Sequence, residues 1–432
     1  MKNRKALALI AILALVAAAG GGSDGGSDEA VVEVETTEAP ATTEAPTTTA
    51  APAPASDPLI LASLMPLSGD LASLGPGIAL GAALAVEQIN AAGGINGQPV
   101  QLIEGDSGCD GAVALTSLND VIAQGAQGVM GAACSGTSLA ILDTAIAAEV
   151  VMVSPSITSP QFTKIDKKGF YARTAPSDLL QGDVLASLLV EDGVQTVSII
   201  SRADSYGRGL AEATAAAFEA AGGTVKTIVY HATDASEFTS EVTAVGKGGA
   251  DAIVGILFPE TGCGVLQPAF EQGLLDTPWY MTDGVKDAGL ASLCGLGTAL
   301  DGFKGTAPGS AAGEAKDAFE AAYAGVSADG SPTFIFAPQA YDAVMLMAIS
   351  AAANGVTGPE IASGLVAASS GGEKCIGVAC IALAADGVDV DYVGASGEIE
   401  LDAVGDPTAA TYDIWTTEGD TNPVLKSVDF GS

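Results

Sequence analysis

The chain has 432 residues, with 52 Asp and Glu against 16 Lys and Arg and a single His, for a net charge of −36 at pH 7. A field of that sign repels nucleic acid and anionic lipid surfaces, which sets both aside as partners. Hydrophobic residues make up 48% of the chain, enough at this length to build two packed domains.

Residues 1–19 read as an export signal. Lys2, Arg4 and Lys5 precede an apolar run over 6–19 that is too short to span a bilayer and closes on Ala17-Ala18-Ala19, small enough for signal peptidase. Its removal takes the net charge from −36 to −39. Residues 20–57 hold Gly, Ser, Asp and Glu, then Thr-Thr-Glu-Ala-Pro and Ala-Pro-Ala-Pro. That composition buries almost no apolar surface and predicts an extended, disordered tether. An exported lipoprotein would place a Cys just after the small residues, where Ala19-Gly20 stands, so attachment to a membrane is left open. The expected location is exported, periplasmic or cell-surface associated.

From 58 onward short apolar runs alternate with longer amphipathic stretches. Strands are predicted at 59–64, 100–104, 129–130 and 150–153, with helices at 77–90, 112–124 and 138–148 between them. A change of domain falls near Pro176-Ser177. The rhythm resumes with strands at 196–201, 224–230, 252–257 and 278–281, a helix ending at 221 and another starting at 237. Helices at 311–323 and 338–353 follow, then strand-like segments at 397–401 and 411–415. Strands alternating with helices of this length predict an α/β fold of two doubly wound parallel sheets covered by helices on both faces. His231, at a strand end beside Tyr230, is expected at the surface.

The cysteines are Cys109, Cys134, Cys263, Cys294, Cys375 and Cys380. An even number in an exported chain favours disulfides, and pairing between sequence neighbours is the simplest arrangement. Metal binding fits poorly, because His231 stands alone and no Cys-x-x-Cys pair is present. No cofactor is expected. Gly105-Asp106-Ser107-Gly108 matches the nucleophile tetrapeptide of chymotrypsin-like proteases, but those enzymes are all-β with a histidine earlier in the chain. It reads instead as a turn ending a strand. Asp386, Asp389 and Asp391 lack the glycine and the final glutamate of a calcium loop. Nothing assembles a reaction, so an enzyme is not expected.

What remains is a set of loops suited to holding a ligand. In doubly wound sheets ligands sit beyond the carboxyl ends of the strands. Cys134-Ser135-Gly136-Thr137-Ser138 follows a strand and opens a helix, so its amides and hydroxyls suit a carboxylate. Ser154-Pro155-Ser156-Ile157-Thr158 offers similar chemistry after the next strand. Ordinary capping and turn formation would also account for both.

These residues match a known family. Met65-Pro66-Leu67-Ser68-Gly69, the block Glu87-Gln88-Ile89-Asn90-Ala91-Ala92-Gly93-Gly94-Ile95-Asn96-Gly97 and Asp204-Ser205-Tyr206-Gly207-Arg208-Gly209 resemble motifs of the leucine/isoleucine/valine-type binding proteins of ABC transporters, a branch of the type I periplasmic binding fold. The similarity runs from about 58 to 413. It implies two lobes joined by three crossings and closing by hinge motion, with 58–176 and 305–404 in the first lobe and 177–304 and 405–432 in the second. It also implies a Cys109–Cys134 disulfide. Ser135 and Thr158 match positions that bind an α-carboxylate, Ser156 one whose backbone meets the ammonium, and Tyr206 one that lines the pocket from the second lobe. Asp283 lies where the family pairs a carboxylate with the ammonium. Phe258 falls where a tyrosine is frequent, and Leu74 replaces an aromatic residue that covers the ligand, so both make the wall more aliphatic. The implied function is a monomeric solute-binding subunit that delivers a branched-chain or other aliphatic amino acid to an ABC permease. Capture of an amide, urea or small carboxylate, and ligand sensing for a membrane receptor, are the alternatives.

Overall fold

The computed structural model describes residues 57–430. The expected leader at 1–19 and nearly all of the tether at 20–57 lie outside the described residues.

The first five strands are β1 (Ile60–Met65), β2 (Gln101–Asp106), β3 (Gly128–Gly131), β4 (Val151–Ser154) and β5 (Tyr171–Arg173). They form one parallel sheet in the order β2-β1-β3-β4-β5. The chain then builds β6 (Thr196–Arg202), β7 (Thr224–His231), β8 (Ala252–Ile256), β9 (Trp279–Met281) and β10 (Lys304–Pro308). Later come β11 (Glu373–Ile376), β12 (Val390–Gly394), β13 (Gly397–Glu398), β14 (Ala410–Thr416) and β15 (Val424–Phe430). The second sheet has the order β15-β14-β10-β9-β8-β6-β7, in which β14 alone is reversed, antiparallel to both β10 and β15. A small sheet, β11-β12-β13, completes the fold.

Central strands β3, β4 and β8 are buried along their whole length. Helices cover both faces of a parallel sheet, so such strands need apolar residues at every position rather than at alternate ones. The helix Ala337–Asn354 is likewise buried along nearly all its length, packed between β3, β4 and the helices Gly75–Ala91 and Gly358–Ala368. Three disulfides join Cys109 to Cys134, Cys263 to Cys294 and Cys375 to Cys380.

Two placements differ from expectation. The return to the first sheet was expected at 305, but β10 pairs with β9 and β14 of the second sheet, so the crossing comes after Pro308. His231 is fully buried rather than exposed. Its ring meets Phe238 edge-on with centroids 4.9 Å apart, and Nδ1 lies 3.1 Å from the Ala232 carbonyl oxygen.

Candidate ligand-binding site

In each sheet the strand order reverses at one place, between β1 and β3 in the first and between β6 and β8 in the second. Loops at such a switch diverge and leave a crevice beyond the strand ends. The loops from these four strands converge on one narrow cavity. Leu71, Leu74, Ile78, Ala133, Phe258 and Phe336 form its apolar wall, and Ser135, Ser156, Tyr206 and Asp283 supply polar groups.

The first sheet contributes hydroxyls. The helix Ser135–Ala147 begins without a side-chain cap, so its first N–H groups and its positive dipole end are open to an anion. The Ser135 and Thr158 hydroxyls are buried and have no protein partner. Ser156 donates to the Ala133 carbonyl (3.2 Å) and Ser154 to the Ala132 carbonyl (2.8 Å), which ties the loops after β3 and β4 together. Arg173, with no exposed surface, donates to the Ile157 and Ser159 carbonyls at 3.2 and 3.1 Å and pairs with Asp406 at 2.7 Å. Thr158 is thereby fixed between two anchored neighbours.

The second sheet contributes acid. Tyr206 lies in the first turn of the helix Ser205–Ala220, which Asp204 caps by accepting from the Gly207 N–H at 2.9 Å. Only glycine fits at 207, because a Cβ there would stand 2.3 Å from the Arg202 carbonyl oxygen. The Tyr206 hydroxyl donates to Asp283 Oδ1 (2.9 Å), and Gln181 Nε2 donates to the same oxygen (2.8 Å). Tyr206 stacks on Phe258, with ring centroids 5.3 Å apart. Behind them lies a second acid. Asp178, in the first turn of the helix Asp178–Glu191, is fully buried, and neither of its carboxylate oxygens has a hydrogen-bond partner. Burial, and then the neighbouring Asp283, push its carboxyl well above the ordinary range. Burial also raises Asp283, to about 6, against the opposing pull of Gln181 and Tyr206. Among the described residues no Lys or Arg forms an ion pair with either acid. A cavity walled by buried Asp283 and by the unpartnered Ser135 hydroxyl, with Asp178 and Thr158 just outside its lining, suits a small molecule with a cation at one end and an anion at the other.

A family model described as periplasmic binding protein matches residues 58–374, most of the chain. The chain belongs to that family. Within it, an amino acid binding protein of Pseudomonas aeruginosa is 34% identical over 238 residues, covering 53% of this chain and 62% of the relative, which is less than two thirds of its length. A leucine-, isoleucine-, valine-, threonine- and alanine-binding protein of the same organism is 29% identical over 304 residues, or 68% of this chain and 78% of the relative. Among solved structures, a branched-chain amino acid transporter substrate binding protein of Streptococcus pneumoniae in complex with isoleucine superposes with a TM-score of 0.72 at 23% identity, covering 87% of this chain and all of that one. A solute binding protein of an ABC transporter from R. palustris in complex with 4-hydroxybenzoate gives a TM-score of 0.72 at 19% identity, covering 87% and 98%. These two likenesses establish the fold, that of type I periplasmic binding proteins.

In this periplasmic binding protein five of the six expected ligand positions line the cavity: Ser135, Ser156, Tyr206, Phe258 and Asp283. Thr158 stands just outside the lining, its carbonyl accepting the Asp178 N–H at 2.8 Å. Leu74, in the place of an aromatic, does reach the wall. Sequence reasoning missed Asp178, Gln181 and Phe336. Ser177-Asp178 carries the signal of a capped helix start and no further one, and Phe336 sits in a loop before Pro338 with nothing to distinguish it from core.

Proposed function

We propose that this chain is the extracytoplasmic solute-binding subunit of an ABC importer, and that it captures a branched-chain or other aliphatic amino acid between its two sheets. The observation that carries the reading is Asp283, a buried acid in the cavity wall with no ion-pair partner and with Asp178 buried behind it, in the same cavity as the open hydroxyl of Ser135 and the uncapped helix start there. An α-ammonium at Asp283 and an α-carboxylate on the hydroxyl and helix amides would satisfy both ends. The side chain would then lie on Leu71, Leu74, Ile78 and Phe336, which offer it no polar group. On this reading the two sheets with their helices are the two lobes, the protein works as a monomer, and its partner is a membrane permease that receives the ligand. The relatives that bind leucine, isoleucine and valine support the same ligand class.

A molecule with a carboxylate alone, such as 4-hydroxybenzoate, would set its uncharged ring against the buried acids and leave them without a cation. Isothermal titration of the unfolded and refolded protein decides the matter. Isoleucine, leucine or valine is expected to bind, with acetamide, urea and benzoate silent. Binding of benzoate or an amide without any amino acid would overturn the zwitterion reading.

A further inference from the structure

A second set of contacts crosses between the sheets and involves protein groups only. Glu260, in the first turn of the helix Pro259–Glu271, accepts the N–H of Leu71 at 2.8 Å and that of Ser73 at 3.1 Å. Arg202, at the end of β6, reaches the same loop with Nη1 2.8 Å from Asp70 Oδ2. That guanidinium is held on its own side by Asp204 (2.9 Å) and by the Thr261 hydroxyl (2.8 Å), and it lies 3.9 Å from the centre of the Phe258 ring. The loop after β1 is therefore fastened to the second sheet at three points. Arg202 is almost wholly enclosed and Asp70 largely so, with side chains 3% and 19% exposed, which limits screening by water and salt.

The fastened loop carries two walls of the cavity. Leu71 and Leu74 both line it, and Leu71 sits at φ +64°, a left-handed conformation that residues other than glycine rarely adopt. Neither Glu260 nor Arg202 lines the cavity. We infer that Glu260 and Arg202 are positioning residues for capture: they dock the 68–74 loop across the cleft and set how long a ligand is held, without touching it. This rests on the cleft being the binding site proposed above. When the lobes part, the same groups return to water, so the contacts favour the closed form alone. They act on release rather than on encounter, which precedes closure.

The test uses Glu260→Ala, Glu260→Gln and Asp70→Asn in the full protein, with isoleucine as probe. Stopped-flow binding is expected to show release about tenfold faster for Glu260→Ala and Asp70→Asn, the ordinary effect of losing a charge-assisted hydrogen bond, with Glu260→Gln intermediate and association within about twofold of wild type. Urea unfolding of the ligand-free variants should be unchanged, since a purely structural role would move it. Amide exchange gives a readout that needs no ligand: ligand-free molecules that close transiently shield Leu71 and Ser73, so both amides should exchange more slowly in the wild type than in Glu260→Ala. Unaltered release rates, or exchange at those two amides that is equal in wild type and variant, would overturn the inference. If no amino acid binds the wild type, the proposed ligand class fails, and the exchange result alone still decides for or against the docking role.

Discussion

Replacing Asp283 by Asn is expected to stabilise the ligand-free protein while weakening its hold on an amino acid. Burial pushes the Asp283 carboxyl from 3.8 to about 6. A rise of that size makes the ionised folded state about 3 kcal/mol less favourable at pH 7 than an ordinary aspartate would. Asparagine keeps an oxygen able to accept the bonds from Gln181 (2.8 Å) and Tyr206 (2.9 Å), so the local geometry survives the change. Unfolding entropy of about 2.1 cal/mol/K per residue, over the roughly 370 described residues, converts ~3 kcal/mol into a rise of about 4 °C in Tm. Binding moves the opposite way. Loss of the charged partner of a desolvated ammonium costs about 1.5–3 kcal/mol, or tenfold to more than a hundredfold in Kd.

Thermal scans across pH with parallel calorimetric titration read both effects. A carboxyl whose folded value lies above its unfolded one costs stability as pH rises from about 3.8 through 6, and the cost is constant above that window. The gain in the asparagine variant should therefore be full at pH 7 and shrink as pH falls below 6. A variant that melts lower than wild type at pH 7 yet binds amino acids normally would refute the argument. Asp283 would then be an acceptor that holds Gln181 and Tyr206 in place and nothing more.

Amino-acid binding should release protons near pH 6 and weaken between pH 7 and 5, because an ammonium favours the ionised form of carboxyls that burial holds up. Titration in buffers of different ionisation enthalpy measures the release. Ser135→Ala removes a hydroxyl with no protein partner, so ligand-free stability should stay within about 0.5 kcal/mol while Kd rises about tenfold. Arg173→Met leaves Asp406, which is 7% exposed, with only the longer pair to Lys167 (3.5 Å) and the Thr163 hydroxyl, and should cost about 3 kcal/mol in urea unfolding.

The parallel core was legible because its strands announce themselves. The apolar run expected at 59–64 is β1 shifted by one residue, and the run expected at 252–257 is β8 plus one. Burial on both faces demands such runs, and they stand out from the polar loops around them. The C-terminal third lacked that contrast. Helices Gly358–Ala368 and Val378–Ala385 and strands β11 and β12 went unread there, because a stretch so rich in Ala and Gly has little periodic difference between its faces. At the site, the hydroxyl loops follow strands and could be found by position. Asp178 could not, since an acid after a Ser N-cap is ordinary helix chemistry, and only the tertiary fold buries it beside Asp283 without a partner. His231 failed for a related reason: Phe238, seven residues on, folds over it.

The division of labour between the sheets bears on what this cleft can select. The acids and their supports all belong to the second sheet and its helices: Asp178 and Gln181 on the helix Asp178–Glu191, Tyr206 after β6 and Asp283 after β9. Gln181 also donates to the Thr306 carbonyl of β10 at 3.1 Å, so this end is assembled within one body before any closure. The hydroxyls of Ser135, Ser156 and Thr158 belong equally firmly to the first sheet, held through Ala133 and Arg173. A ligand with only one charge can satisfy one body and leaves the other with its polar groups unpaired. A zwitterion satisfies both, and only when the two bodies are brought together. On the proposed reading, selection for the amino-acid head group and closure of the cleft are thus the same event. The aliphatic loop carrying Leu71 and Leu74, docked by Glu260, then judges the side chain once the head group is in place.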